Sequence, residues 1–281
     1  MSNQALSQSP KSYIEINSTT AVVPGQVAVF KLPLGPTYEN FYFLHNGNLT
    51  LAEMTRIRLK INGQIVQDYE SGTDLDLLNR LSDKDNRDYG ALLNWPMARN
   101  ELNTQASRQK TSLATGLTAK GLQVIRTAEI EVQIAPGATN ASLKLKAEIS
   151  ASRPPFKIRK VNTRRLQSPG SGVKQWNDLP HTRGDLIART VWIDDDANSI
   201  FNGFELKVNG FSHWKVAIDE QNDMRNQLGL HTSEFVLTFD PSYRGQGTQV
   251  LPTLQIQELL YDVDFNMAGT VVEYVETIGN I

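Results

Sequence analysis

The chain has 281 residues, 40% of them hydrophobic and 21% charged, with a formal net charge of -2. That is material for about two domains with sizeable cores, and it excludes both a disordered chain and a strongly basic protein that coats nucleic acid. No cysteine is present, so stability must come from packing and not from disulfides.

The first segment, Met1 to Ser12, is polar, holds no acidic residue and shows no strand alternation before Tyr13. It is expected to be an arm, and it lacks the apolar core of a signal peptide. No stretch approaches the roughly 18 apolar residues of a membrane span, so the chain is expected to be soluble.

The first hairpin is predicted at Asn62-Gly63, after Leu59-Lys60-Ile61. Asn-Gly tolerates positive φ at both central positions of a type I′ turn, and it occurs again at Asn46-Gly47, Asn202-Gly203 and Asn209-Gly210. A short helix follows, capped by Thr73 with Asp76 as its capping-box partner. It runs to Leu81 and buries Leu75, Leu78 and Leu81. From Leu122 the apolar positions Leu122, Val124, Ala128, Ile130, Val132 and Ile134 alternate with polar ones, interrupted by Arg126. Period two predicts a half-buried strand, closed as a hairpin through Pro136-Gly137 onto Leu143, Leu145, Ala147 and Ile149.

Ser150 to Pro155 breaks both helix and ladder and reads as a domain boundary. Beyond it, Arg153, Lys157, Arg159, Lys160, Arg164 and Arg165 form the one basic run, without an intervening acid. It offers a surface for anionic lipid or nucleic acid. With Phe156 and Ile158 alternating it reads equally as one strand with a charged outer face, and the two readings are compatible. Farther on, Asp194, Asp196, Asn198, Ile200, Asn202 and Glu205 follow the spacing of a calcium loop. Ser199 stands where that loop needs glycine and no helices flank it, so a plain solvated loop competes with a calcium site built from Asp194, Asp196, Asn198 and Glu205. Leu206-Lys207-Val208-Asn209-Gly210 then repeats the first hairpin almost letter for letter. A second helix is predicted from a cap at Asp219 to Leu228, closing at Gly229. The chain finishes in a hairpin from Tyr261 to Phe265, through Ala268-Gly269, to Val271 to Val275.

Both parts therefore share one order: strands, Asn-Gly hairpin, capped helix, strands, closing hairpin. The fold class is all-β, two tandem eight-stranded jelly rolls over residues 13–150 and 151–281, preceded by the arm at 1–12. A tandem immunoglobulin-type sandwich would leave the repeated helix unexplained.

Chemistry is nearly absent. His45, His181, His213 and His231 stand alone, without the clustering a metal enzyme needs. Gly170-Ser171-Gly172 and Gly245-Gln246-Gly247 lack the strand-loop-helix context of a phosphate loop. No nucleophile elbow is visible. No catalytic residue and no cofactor are expected, apart from the calcium candidate.

At Lys31-Leu32-Pro33-Leu34-Gly35-Pro36-Thr37-Tyr38-Glu39 the sequence resembles the major capsid proteins of corticovirus type. The likeness continues from Arg58 to Tyr69 and returns at Leu179-Pro180, Gly184, Ile187 to Ile193, Phe204 to Trp214 and Val271 to Tyr274. It implies a double jelly roll and a homotrimer of six-sided outline. It also implies a virion shell tiled with neighbouring trimers and minor capsid proteins, assembled in the host cytoplasm around an internal membrane. The arm or the basic run would meet that membrane, and no specific nucleic acid would be bound. Two other readings remain at this point: a tandem β-sandwich that binds or hydrolyses carbohydrate, and a minor capsid or spike protein.

Overall fold

Alternating apolar side chains and turn glycines build eighteen strands and two helices among the residues described in the computed structural model, namely 11–46, 48–82, 91–97, 111–177, 184–241 and 250–280. The first half contributes β1 (Ser12–Ile16), β2 (Val27–Lys31), β3 (Thr37–Asn46), β4 (Met54–Ile61), β5 (Gln64–Tyr69), α1 (Gly72–Arg80), β6 (Leu92–Pro96), β7 (Leu113–Ala114), β8 (Ala128–Ile134) and β9 (Ser142–Ser150). The second contributes β10 (Ile158–Ser168), β11 (Gly172–Trp176), β12 (Leu186–Asp194), β13 (Phe201–Val208), β14 (Phe211–Ala217), α2 (Ile218–Gln227), β15 (Val236–Phe239), β16 (Leu251–Pro252), β17 (Leu259–Phe265) and β18 (Gly269–Gly279).

In each half the strands divide into two facing sheets in the same order. The first has β1-β9-β3-β6 opposite β2-β8-β4-β5; the second has β10-β18-β12-β15 opposite β11-β17-β13-β14. The short β7 and β16 add to β3 and β12 respectively. Each half is therefore a jelly roll: eight strands in two four-stranded layers, with a two-residue ninth. A single parallel bridge, Val161 to Gln67, joins β10 to β5 and fuses one layer of each half into a nine-stranded sheet.

The halves agree to the residue. Leu59 pairs with Gln67 and Ile130, as Leu206 pairs with Trp214 and Tyr261. A bulge separates Leu59 from Lys60 in one hairpin and Leu206 from Lys207 in the other. Both turns are left-handed at two successive residues: Asn62 and Gly63 at φ 52° and 79°, Asn209 and Gly210 at 49° and 81°. This is the type I′ geometry that matches the twist of the strands. Each asparagine also ties down the strand behind it. Asn62 Oδ1 accepts from the amides of Arg126 and Thr127, and Asn209 Oδ1 from those of Gln257 and Glu258.

Several sequence expectations shift. The two closing hairpins do not form: β8 pairs with β2 and β4 while β9 pairs with β1 and β3, and β17 pairs with β11 and β13 while β18 pairs with β10 and β12, so each connection crosses from one layer to the other. The strand read from Leu122 begins only at Ala128, and Leu122 and Val124 are exposed, because the Asn62 side chain takes up the amides at Arg126 and Thr127. The first helix is capped by Ser71, whose side chain accepts from the Asp74 amide at 3.0 Å, and not by Thr73. Leu75, Leu78 and Leu81 are buried as expected. The second helix has no side-chain cap: Ala217 stands at that position and Asp219 falls inside the first turn. Its buried residues are Gln221 and Arg225, which bond to the Val236 and His231 carbonyls, while Met224 and Leu228 are only partly covered and Ile218 and Met224 touch the second core. Asn202-Gly203 is no turn. It lies inside β13 at a bulge, where the Val216 carbonyl passes too close for any side chain. Residues 1–10 of the arm, Gly47, Leu179-Pro180, His181 and Gly245-Gln246-Gly247 lie outside the described residues.

Candidate functional site

The two rolls could have been beads on a linker; the strand edges and the charges between them decide otherwise. Ile158, Val161, Val191, Ile193, Val272 and Tyr274 of the second half are buried in the hydrophobic core of the first, so one core crosses the joint. The interior of the second roll is a separate cluster centred on Trp192, Phe204 and Tyr261.

Three buried charges sit inside this joint. Glu276 of β18 meets Arg159 of β10 at 2.9 Å and Arg189 of β12 at 2.5 Å. Its side chain is fully buried, and those of the two arginines are 5% and 2% exposed. A lone charge at such depth would cost several kcal/mol. Each guanidinium therefore reaches into the first half for further acceptors: Arg159 to the Pro96 carbonyl at 3.2 Å, Arg189 to the Leu78 carbonyl at 3.1 Å. Gln67 finishes the arrangement. Its amide donates to the Arg159 carbonyl and its oxygen accepts from Trp95 and Tyr69.

Helix α1 belongs to the first half but is held at both ends by the second. Leu78 and Leu81 offer the last carbonyls of the helix, and they accept from Arg189 and from Arg225 of α2, at 3.1 and 2.6 Å. Cations at a helix C-terminus complement its dipole. At the other end Asp74 accepts from the Tyr274 hydroxyl at 2.5 Å. Burial pushes the Asp74 carboxyl above its ordinary value and the Tyr274 hydroxyl far above its own. Beside this pair a cleft of about 300 Å³ opens between the halves, lined by Arg56, Glu70, Ser71, Asp74, Arg165 and Asp195. Its charges already face each other: Arg165 pairs with Glu70 and Asp195.

The basic run is absorbed by this architecture. Arg153 pairs with Glu39, Arg159 with Glu276, Lys160 with Asp185, Arg164 with Glu273 and Arg165 with Glu70. Arg159, Lys160, Arg164 and Arg165 lie on one strand, β10, but Arg159 points inward, and Arg153 and Lys157 precede the strand. The calcium spacing also fails to assemble. Among the described residues no three His, Cys, Asp or Glu side chains gather as a metal site. Asp194 is buried and spends both oxygens on the amides of Asp196 and Asn198, closing the turn after β12. Glu205 lies on β13 and faces Lys215 of β14 at 3.8 Å, so the linear spacing does not survive in space.

The buried acids went unrecognised in the sequence, yet a signal was there. Arg189, Glu273 and Glu276 interrupt apolar runs that are otherwise fully buried, and a charge in such a run must have a partner. The first half carries a milder version. Glu148 of β9 takes the place of Glu276 and is held by Lys11 at 2.5 Å, by Asn40 and by Tyr42. Burial alone would raise its carboxyl, but these partners outweigh it and hold the group below its ordinary value.

This construction has close parallels. The viral coat protein P2 N-terminal domain matches residues 13–150, and the viral coat protein P2 C-terminal domain matches residues 158–281. The major capsid protein P2 of Pseudoalteromonas phage PM2 is 25% identical over 274 residues, covering 94% of this chain and 97% of that protein. The crystal structure of that capsid protein superposes with a TM-score of 0.86 at 21% identity, over 97% of this chain and 98% of the other. The major capsid protein of Sulfolobus turreted icosahedral virus shares the fold at a TM-score of 0.71 and 12% identity, over 96% and 97%. Two jelly rolls in tandem, welded through one sheet and matched in order by both coat-protein domains, place this chain in the viral coat protein P2 family, as a structural protein of the virion capsid.

Proposed function

We propose that this chain is the major capsid subunit of a tailless icosahedral phage. It acts as a homotrimer of six-sided outline whose copies tile the shell with one another and with minor capsid proteins. The observation that carries this is the joint: two rolls of identical strand order, fixed against each other by a shared sheet, a shared core and the buried Glu276 cluster. Three such chains offer six similar domains around a true threefold axis, and a six-sided block covers a hexagonal lattice. A hinge between the rolls would blur that outline, and the buried cluster removes the hinge.

The role is structural and not catalytic: the charged groups nearest the cleft are committed to one another. The arm before β1, residues 1–10, takes the part of an assembly or membrane contact. Light scattering of the purified chain at micromolar concentration should give the mass of three copies, and negative-stain images should show six-sided particles. A stable monomer would overturn the proposal. Deleting residues 1–10 should leave trimers intact and stop shell assembly; normal shells from the truncated chain would remove the arm from it.

A further inference from the structure

We infer that β14 of one copy and β1 of the next form a parallel intersubunit joint, a second edition of the β5–β10 joint inside the chain. This joint presupposes the trimer proposed above and specifies where its copies meet.

Both strands end their sheets. Among the described residues β1 pairs with β9 alone and β14 with β13 alone, leaving one edge of each unpaired. An open edge is a template for another strand. Each of these edges carries a large exposed hydrophobic side chain: Tyr13 on β1 is 67% exposed and Phe211 on β14 is 79% exposed.

The internal repeat supplies the register. Gln67 faces Leu59 as Trp214 faces Leu206, and Val161 faces Glu276 as Tyr13 faces Glu148. The equation of Glu276 with Glu148 is independently set by the bulges before Arg189 and Asn40, which pair with those acids in the neighbouring strands. Carrying the Gln67 to Val161 bridge across the repeat sets Trp214 of one copy opposite Tyr13 of the next. The four-stranded and five-stranded sheets would then merge into a nine-stranded one like that already present.

The faces correspond as well. Val161, Val191, Ile193 and Val236 are buried in the internal joint. Their counterparts by register are Tyr13, Tyr42, Leu44 and Leu92, and all four keep some exposure in the single chain. Where the internal joint has Val272 and Tyr274, the first half has Lys144 and Lys146. The first turn of α1 meets Tyr274 through an aspartate; α2 opens with the exposed acids Asp219 and Glu220. Two lysines facing an acidic helix start are complementary where the internal joint used a tyrosine and an aspartate. The occupant that fits is therefore a second copy of this chain, bound head to tail. A head-to-tail joint closes into a ring when its rotation closes, and the trimer proposed above is the ring this joint would form.

The chain has no cysteine, so engineered pairs report without background. Lys11→Cys with Ser212→Cys uses two exposed positions, and Tyr13→Cys with Trp214→Cys uses the bridge itself. Under mild oxidation of the full chain both pairs should convert most of the protein into a covalent trimer on denaturing gels. Each single variant should stay at monomer mass. Tyr13→Cys with Val173→Cys, on the opposite edge of the second sheet, should not close. Light scattering on the same samples separates the outcomes. A trimer that closes through Val173→Cys, or through none of the pairs, overturns this joint and leaves the trimer standing. A monomer overturns the trimer itself.

Discussion

Tyr274 on the last strand donates a 2.5 Å hydrogen bond to Asp74 in the first helix, 200 residues earlier in the chain. The same hydroxyl accepts from the Glu70 amide at 3.1 Å. One side chain thus holds the entry to α1 from outside its own roll.

Tyr274→Phe keeps the ring and removes the hydroxyl. It should destabilise the chain by about 1–3 kcal/mol, because a partly buried carboxyl and a backbone amide lose their partner. The urea midpoint should fall with an unchanged slope. A midpoint equal to that of the parent would mean that the bond adds nothing to the joint.

Asn62 and Asn209 can be compared directly, since each occupies a left-handed position and accepts from two amides of the strand behind. Replacement by Gly keeps the turn and loses the clamp; replacement by Ala loses both. Ala should therefore cost about 1–2 kcal/mol more than Gly at each site. The two sites should agree to within about 0.5 kcal/mol. Thermal melts of the four variants decide it, and a large difference between halves would show that the repeat is geometric but not energetic.

Acid should weaken the chain through Glu148. Its carboxyl is held below its ordinary value of 4.5, so the unfolded chain takes the proton first as pH falls. Its contribution is fully present above about 4.5 and is lost as pH drops through the lower folded value. Asp262 adds to the same limb: burial works against its charge, but Lys207 and Gln175 outweigh it and lower the group. Glu148→Gln should therefore reduce stability at neutral pH and flatten the acid side of the melting curve. An acid limb as steep as that of the parent would exclude Glu148 as a cause.

Chelator should leave the melting temperature unchanged, since Asp194 serves backbone amides and Glu205 lies with Lys215 on neighbouring strands. Asp194→Ala should cost about 1–3 kcal/mol with or without calcium, because two amides lose their acceptor. Stabilisation by added calcium that vanishes in this variant would reinstate the ion site.

Period-two alternation and the Asn-Gly dipeptides were enough to establish the all-β class, the repeat and the equivalence of Leu59 with Leu206. Those features are local: a strand face and a type I′ turn are written in neighbouring residues. The helix starts were legible only to within two residues, since Ser71 and Thr73 are equally able caps and the choice falls to whichever meets the Asp74 amide. The basic run and the acidic spacing misled for one reason. Linear charge patterns do not say which strand lies alongside, and Glu276, Glu273, Asp185 and Glu70 approach Arg159, Arg164, Lys160 and Arg165 only after the sheets pair. What tertiary structure alone decided was the joint. Its contacts join residues far apart in sequence, so no window of neighbours could reveal that Arg189 would be buried against Glu276 while closing the end of a helix from the other half.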